Sequence, residues 1–195
     1  AQEKDWSVSV ENKSQSSVDA LHNQAEKLRF LIDSLVKLSR LENGIISLAP
    51  QRAALQPLLE GLIAQYTAKA TEKGLSLQLL DTDGFATFDA KWTAEALSNV
   101  VDNAIKYTTH GTITISAVSY EMFARIDISD SGPGIPESEQ AKIFTRFYRA
   151  KTVHEQEGVG IGLYLSRQII SGEGGYIKVT STPGKGSTFS VFLPL

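Results

Sequence analysis

The 195-residue chain is predicted to be an α+β protein: a two-layer sandwich with one largely antiparallel sheet, helices on one face, and a bundle-type helix in front. Two patterns lead there. Short stretches that alternate apolar and polar residues are interspersed with amphipathic helical ones, without the strict strand–helix alternation of a parallel α/β fold. The early part of the chain carries a heptad-like stripe that does not recur later. A hydrophobic content of 42% and a charged content of 21% are those of an ordinary globular protein, long enough for one good core and a smaller element.

Residues 1–17 are polar and serine-rich and read as a loose or partly helical lead-in. From Val18 a helical stripe begins. Leu21, Ala25, Leu28, Ile32 and Leu35 step by four, three, four and three, the spacing of a helix in an antiparallel bundle or dimer, and Leu31 and Leu38 widen it. Asn43-Gly44 stops it, so residues 18–46 form one bundle helix and residues 50–195 the main domain. Residues 55–73 read as a helix ending at Gly74, followed by strands at 75–79 and 85–88. Asp89 is the expected N-cap of a helix that closes near Gly111. Strands are expected at 112–115 and 124–128, and a helix from Pro136 through Phe144 to Tyr148. A loop at about 150–158, a helix at 161–171 and strands at 176–179 and 188–192 complete the chain.

Composition excludes several function classes. A net charge of −3 supplies no basic stripe to replace the counterions of a nucleic acid. The absence of cysteine rules out disulfide frameworks and thiolate metal sites. No run of about 18 apolar residues is present to span a membrane. The chain opens Ala-Gln-Glu-Lys, without a signal-peptide pattern, and reads as a piece of a longer protein.

The chemistry concentrates in the stretch Asn99-Val-Val-Asp-Asn-Ala-Ile-Lys-Tyr107. On a helix, Leu97, Val100, Val101, Ala104 and Ile105 fall on one side, while Asn99, Asn103 and Lys106 share the other. Carboxamide oxygens suit a hard cation such as Mg²⁺, and an ammonium suits phosphate oxygens. Asp130-Ser-Gly-Pro-Gly-Ile135 follows a predicted strand and makes a rigid turn whose backbone can press against a flat ligand. Its ionised carboxylate is an acceptor only and can read an exocyclic amino group. Gly158-Val-Gly-Ile-Gly-Leu163 opens a helix, where free amides and the helix dipole favour a phosphate chain. It is neither a Walker motif nor a dinucleotide fingerprint.

In this order the stretches resemble the catalytic ATP-binding domain of sensor histidine kinases of two-component systems. That domain has the Bergerat fold shared with type II topoisomerases, mismatch-repair ATPases and heat-shock chaperone ATPases. Residues 99–107 are similar to the family's asparagine box, 130–135 to the first glycine box, 143–149 to the phenylalanine box, 158–163 to the second glycine box and 184–189 to the last. Residues 35–44 resemble, less specifically, the end of the second helix of the dimerisation and phosphotransfer hairpin. The resemblance implies that Asn103 binds Mg²⁺ with Asn99 assisting at the γ-phosphate. It further implies that Lys106, Arg146 and Arg149 meet phosphate oxygens, and that Tyr107 lies along the adenine. Asp130 would accept from adenine N6, with Gly132, Gly134 and Ile135 letting the base approach and Thr188 supporting the carboxylate. Gly158, Gly160, Gly162 and Leu163 would close the far end of a mobile lid at 150–157. The implied cofactors are ATP and Mg²⁺. The implied partners are a response regulator receiver domain and a second copy in a homodimer, and the implied setting is a cytoplasmic domain of a membrane-anchored bacterial parent.

One departure stands out. The family's phosphoacceptor motif, His-Glu/Asp-x-Arg/Lys-Thr/Asn-Pro, is absent. His22 is followed by Asn-Gln, His110 sits before Gly111, and His154 falls in the expected lid. The first hairpin helix, with its acceptor, is therefore expected elsewhere in the parent protein. Two alternatives remain open on sequence alone: a non-catalytic ATP-sensing interaction module, and a serine kinase of the anti-sigma type with the same fold.

Overall fold

The computed structural model describes the backbone of residues 2–149 and 159–195, with side chains from residue 17 onward. Helix α1 spans Gln2–Glu42, so the expected lead-in is helical too. No glycine or proline interrupts positions 2–42, and extending a formed helix costs little once it is nucleated. The stripe of Leu21, Leu28, Ile32 and Leu35 is exposed (71%, 56%, 51% and 37%), so no described residue covers it. Leu38 and Ser34 are buried and Leu31 and Leu41 half-buried. Leu31 and Leu38 do not widen the stripe: at 3.6 residues per turn they stand about a quarter turn from it, Leu31 half-buried and Leu38 packed on the main domain.

Beyond Asn43-Gly44 come β1 (Gln51–Ala54), α2 (Leu55–Glu72), β2 (Leu75–Leu79), β3 (Phe85–Phe88), α3 (Ala90–Tyr107), β4 (Gly111–Ser119) and β5 (Phe123–Asp130). Then follow α4 (Glu137–Gln140), a 3₁₀ turn (Lys142–Phe144), α5 (Gly162–Gly172), β6 (Tyr176–Thr182) and β7 (Gly186–Pro194). The main sheet has the order β2-β4-β5-β7-β6; β2 pairs with β4 in parallel and every other pairing is antiparallel. Strand β1, which has no period-two signal of its own, exists by pairing with β3. The single helix expected from Pro136 to Tyr148 is instead a short helix and a 3₁₀ turn. Burial of Ile143 and Phe144 tightens that last turn, and the Thr145 hydroxyl donates to the Lys142 carbonyl (2.7 Å).

The core lies between the sheet and α2, α3 and α5. Ile113, Ile115, Ile126, Ile128 and Val191 point into it at every second position, against Leu97, Val100, Val101 and Ile105 of α3. Asp89 caps α3, accepting from the amides of Lys91 and Trp92 (3.1 Å each) and from Ala49 of the incoming linker (3.0 Å). That packing leaves the polar face of α3 turned toward α5 and the end of β5.

Candidate functional site

Because the apolar face of α3 (Leu97, Val100, Val101, Ile105) is spent on the core, its opposite row has one place to go. Asn99, Asn103, Lys106 and Tyr107 line a cavity of about 870 Å³. The C-terminal turn of α3 is fixed by residues that themselves border the cavity. Lys73, just past α2, donates to the carbonyls of Ile105 (2.6 Å) and Lys106 (2.5 Å), and Lys69 pairs with Asp102. The Lys106 ammonium lies 4.8 Å from the centre of the Tyr107 ring.

The sheet supplies the opposite side. Asp130 ends β5, and its carboxylate accepts from the Gly132 amide at 2.8 Å. Burial pushes its pKa above the usual aspartate value, opposed by that bond and by one from the Ser187 backbone. The turn after it is braced by β6 and β7: Ile135 N–H donates to Ser181 Oγ (2.7 Å), and Gly184 N–H donates to the Pro133 carbonyl (2.7 Å). Ile135, Ile143 and Phe189 give this side an apolar floor.

Helix α5 closes the third side by its N-terminus. No described side chain caps it, and Gly160, Gly162 and Leu163 at its start border the cavity. Gly160 adopts φ +75°, and a Cβ there would come within 2.6 Å of the Tyr148 carbonyl. At Gly162 a Cβ would meet Asn99 Oδ1 at 3.3 Å, so the helix start packs directly on the asparagine.

Most of the residues named from sequence therefore meet, Arg149 and Gly134 among them. Others do not. Arg146 lies off the cavity: its guanidinium binds the Glu42 carboxylate and stacks on the Tyr164 ring, 4.9 Å from centre to centre. Thr188 faces away, bonded to Ser129 Oγ (2.9 Å), because the strand register puts Ser187 opposite Asp130 and side chains alternate. Support for Asp130 therefore comes from Ser187. Gly132 acts through Asp130 rather than as a wall. Gly158 and the expected lid at 150–157, with His154, lie outside the described residues. His22 is exposed on α1 and His110 is exposed after α3. Sequence reasoning passed over Ser181, Ser187 and Tyr148; only the first two had a signal, a short polar residue at a strand–turn junction.

The cavity can hold a flat base against Asp130 and an anionic chain against α3 and α5. Asn99 Nδ2 is buried without a hydrogen-bond partner, as a donor awaiting a ligand oxygen would be. Among the described residues no cluster of three or more His, Asp or Glu could cage a metal alone. The Asn103 carboxamide borders the cavity, a donor type that suits a Mg²⁺ ion sharing its coordination with ligand phosphates.

A mostly antiparallel sheet under three helices, with an asparagine row, an aspartate turn and a glycine-flanked helix start around one cavity, defines an ATP-binding domain. A family model described as histidine kinase-, DNA gyrase B- and HSP90-like ATPase matches residues 88–195, and the chain belongs to that family. It is 34% identical over 184 residues to the circadian input-output histidine kinase CikA of Synechococcus elongatus, covering 91% of this chain and 24% of that protein. The adaptive-response sensory kinase SasA of Crocosphaera subtropica is 33% identical over 177 residues, covering 89% and 46%. Among solved structures, full-length ShkA in complex with AMPPNP superposes with a TM-score of 0.77 at 26% identity, covering 92% of this chain and 38% of that one. The chain thus spans less than half the length of these relatives, and its domain is of the ATP-binding type that sensor histidine kinases carry. No helix among the described residues is long and apolar enough to cross a membrane.

Proposed function

We propose that this chain is the Mg·ATP-binding catalytic part of a sensor histidine kinase. The intact protein transfers the γ-phosphoryl group to a histidine nitrogen, and from there to an aspartate of a response regulator receiver domain. The observation that carries this is the Asn99–Asn103–Lys106 row facing the same cavity as Asp130. Asp130 accepts from the adenine amino group and Tyr107 flanks the base. Asn103 offers its side-chain oxygen to Mg²⁺, which when bound neutralises phosphate charge. Asn99, Lys106, Arg149 and the α5 amides orient the phosphate chain. A carboxamide at Asn99 cannot take a proton from water, so the site holds ATP for transfer rather than hydrolysing it. Arg146 would join the phosphate contacts only after leaving Glu42. A homodimer through the exposed α1 stripe and a membrane-anchored parent belong to the same proposal.

Titration calorimetry tests it. The chain should bind Mg·ATP, and Asn103→Ala should remove the Mg²⁺-dependent part of the affinity while sparing metal-free ADP binding. Alanine is a good helix former, so α3 should persist. A metal titration of the variant matching that of the parent chain would remove Asn103 as the ligand.

A further inference from the structure

The cavity has a fourth side that the ATP-binding domain does not supply. Asn23, Glu26, Lys27 and Phe30 of α1 border it opposite α3. Their spacing of i, i+3, i+4 and i+7 is one helix face. It continues downward as Ser34, Leu38 and Leu41, which pack on the domain, and it points away from the exposed Leu21–Leu35 stripe. Two polar fastenings hold α1 there. Lys37 Nζ donates to Glu95 Oε1 of α3 at 2.6 Å. Lower down, Glu42 Oε1 accepts from the Arg146 guanidinium and from the Tyr164 hydroxyl (3.2 Å), one residue on each side of positions 150–158. The bond from Arg146 holds the Glu42 carboxyl below the usual glutamate value.

We propose that α1 is a wall of the nucleotide site, so that nucleotide binding and docking of α1 against the domain are one linked equilibrium, with Phe30 and Lys27 as positioning residues for the bound nucleotide. The inference rests on the ATP-binding reading of the cavity. With α1 docked the cavity still measures about 870 Å³, so the helix covers the site without filling it. A nucleotide occupying that space touches α1 only in the docked form, and contacts made in one state alone shift the balance toward it. By reciprocity docking and nucleotide binding strengthen each other equally, and whatever loosens α1 weakens nucleotide binding by up to the factor lost in docking. The wall chemistry suits the ligand, since Phe30 keeps 47% of its surface open for a ring or sugar face and Lys27 brings a cation to an anionic chain.

The test uses the full chain and the Lys37–Glu95 fastening, neither member of which borders the cavity. Exposed pairs of this kind are worth about twofold to fivefold in an equilibrium. Lys37→Glu and Glu95→Lys, each alone, should weaken Mg·ATP binding by up to that factor, and the double variant, with the pair reversed, should recover it. Saturating Mg·ATP should slow amide exchange of residues 31–42 by a comparable factor. Phe30→Ala should weaken binding and leave the exchange of the nucleotide-free chain unchanged. If Mg·ATP binds while exchange in α1 stays the same and both single variants bind like the parent, the linkage is refuted. A chain that fails to bind Mg·ATP at all would overturn the functional proposal itself, a separate and recognisable result.

Discussion

Asp130 carries the sharpest consequence at the scale of one residue. Its half-buried carboxylate is stabilised by the Gly132 and Ser187 amides, yet burial still leaves its pKa above the ordinary aspartate value. Only the ionised form is purely an acceptor, so base recognition requires deprotonation. With the folded pKa raised, ATP affinity should begin to fall on acidification at a higher pH than an ordinary aspartate would set. ATP should bind at least about thirtyfold more tightly than GTP, since a guanine carbonyl facing the carboxylate costs roughly 2 kcal/mol or more. Asp130→Asn should weaken ATP by a comparable factor and flatten the pH slope. Calorimetry across pH 4 to 8, about the window of interest for a raised carboxyl, decides it; equal ATP and GTP affinities would remove Asp130 as the base reader.

Between elements, the polar link that matters most joins α5 to α3 away from the cavity. Glu173, just past α5 and only 6% exposed, accepts from the Thr93 hydroxyl at 2.9 Å on each oxygen and from the Asp89 amide at 3.0 Å. Burial pushes its pKa up to about 7, against those bonds and aided by the neighbouring Asp89 carboxylate. The sign follows from linkage. The folded chain holds this proton to a higher pH than the unfolded one does, so its contribution is full at acidic pH and is lost as pH rises toward about 7. The loss amounts to roughly 3 kcal/mol at most. Glu173→Gln, which keeps the acceptor, should be more stable than the parent chain at pH 8 and should lose that pH dependence. Parallel denaturation curves for the two chains from pH 5 to 8, spanning about that range, would count against the assignment.

For the whole molecule, the decisive fact is what α1 lacks. It presents His22 on an exposed face with the wrong neighbours for a phosphoacceptor, while Asn99, Asn103, Lys106 and Asp130 all border one cavity. Phosphoryl transfer needs a nucleophile roughly 3 Å from the γ-phosphorus and in line. The purified chain should therefore bind Mg·ATP yet acquire no acid-labile, base-stable phosphate from γ-labelled ATP. A separate hairpin helix carrying the family's phosphoacceptor motif should be labelled in trans. Stoichiometric labelling of the chain that disappears in His22→Ala would place the acceptor on α1 after all. The exposed stripe of Leu21, Leu28, Ile32 and Leu35 should drive weak self-association, visible as a concentration-dependent sedimentation coefficient.

Local chemistry determined the parts that sequence alone could reveal. The amphipathic split of α3, the Asp89 cap, the period-two strands and the glycines at turns are settled within a few neighbouring residues, so the polar row of Asn99, Asn103 and Lys106, the Asp130 turn and the glycine-flanked helix start were legible as local features. Tertiary structure decided which of those residues meet. Strand register, set by pairing across more than fifty residues, turned Thr188 outward and Ser187 toward Asp130. An ion pair between residues 104 positions apart drew Arg146 from the cavity to Glu42. Strand β1 took its conformation from β3, and the docking of α1 divided its apolar residues between a buried and an exposed face. Contacts at such separations depend on how the packed elements come together, and no period or spacing along the chain encodes them.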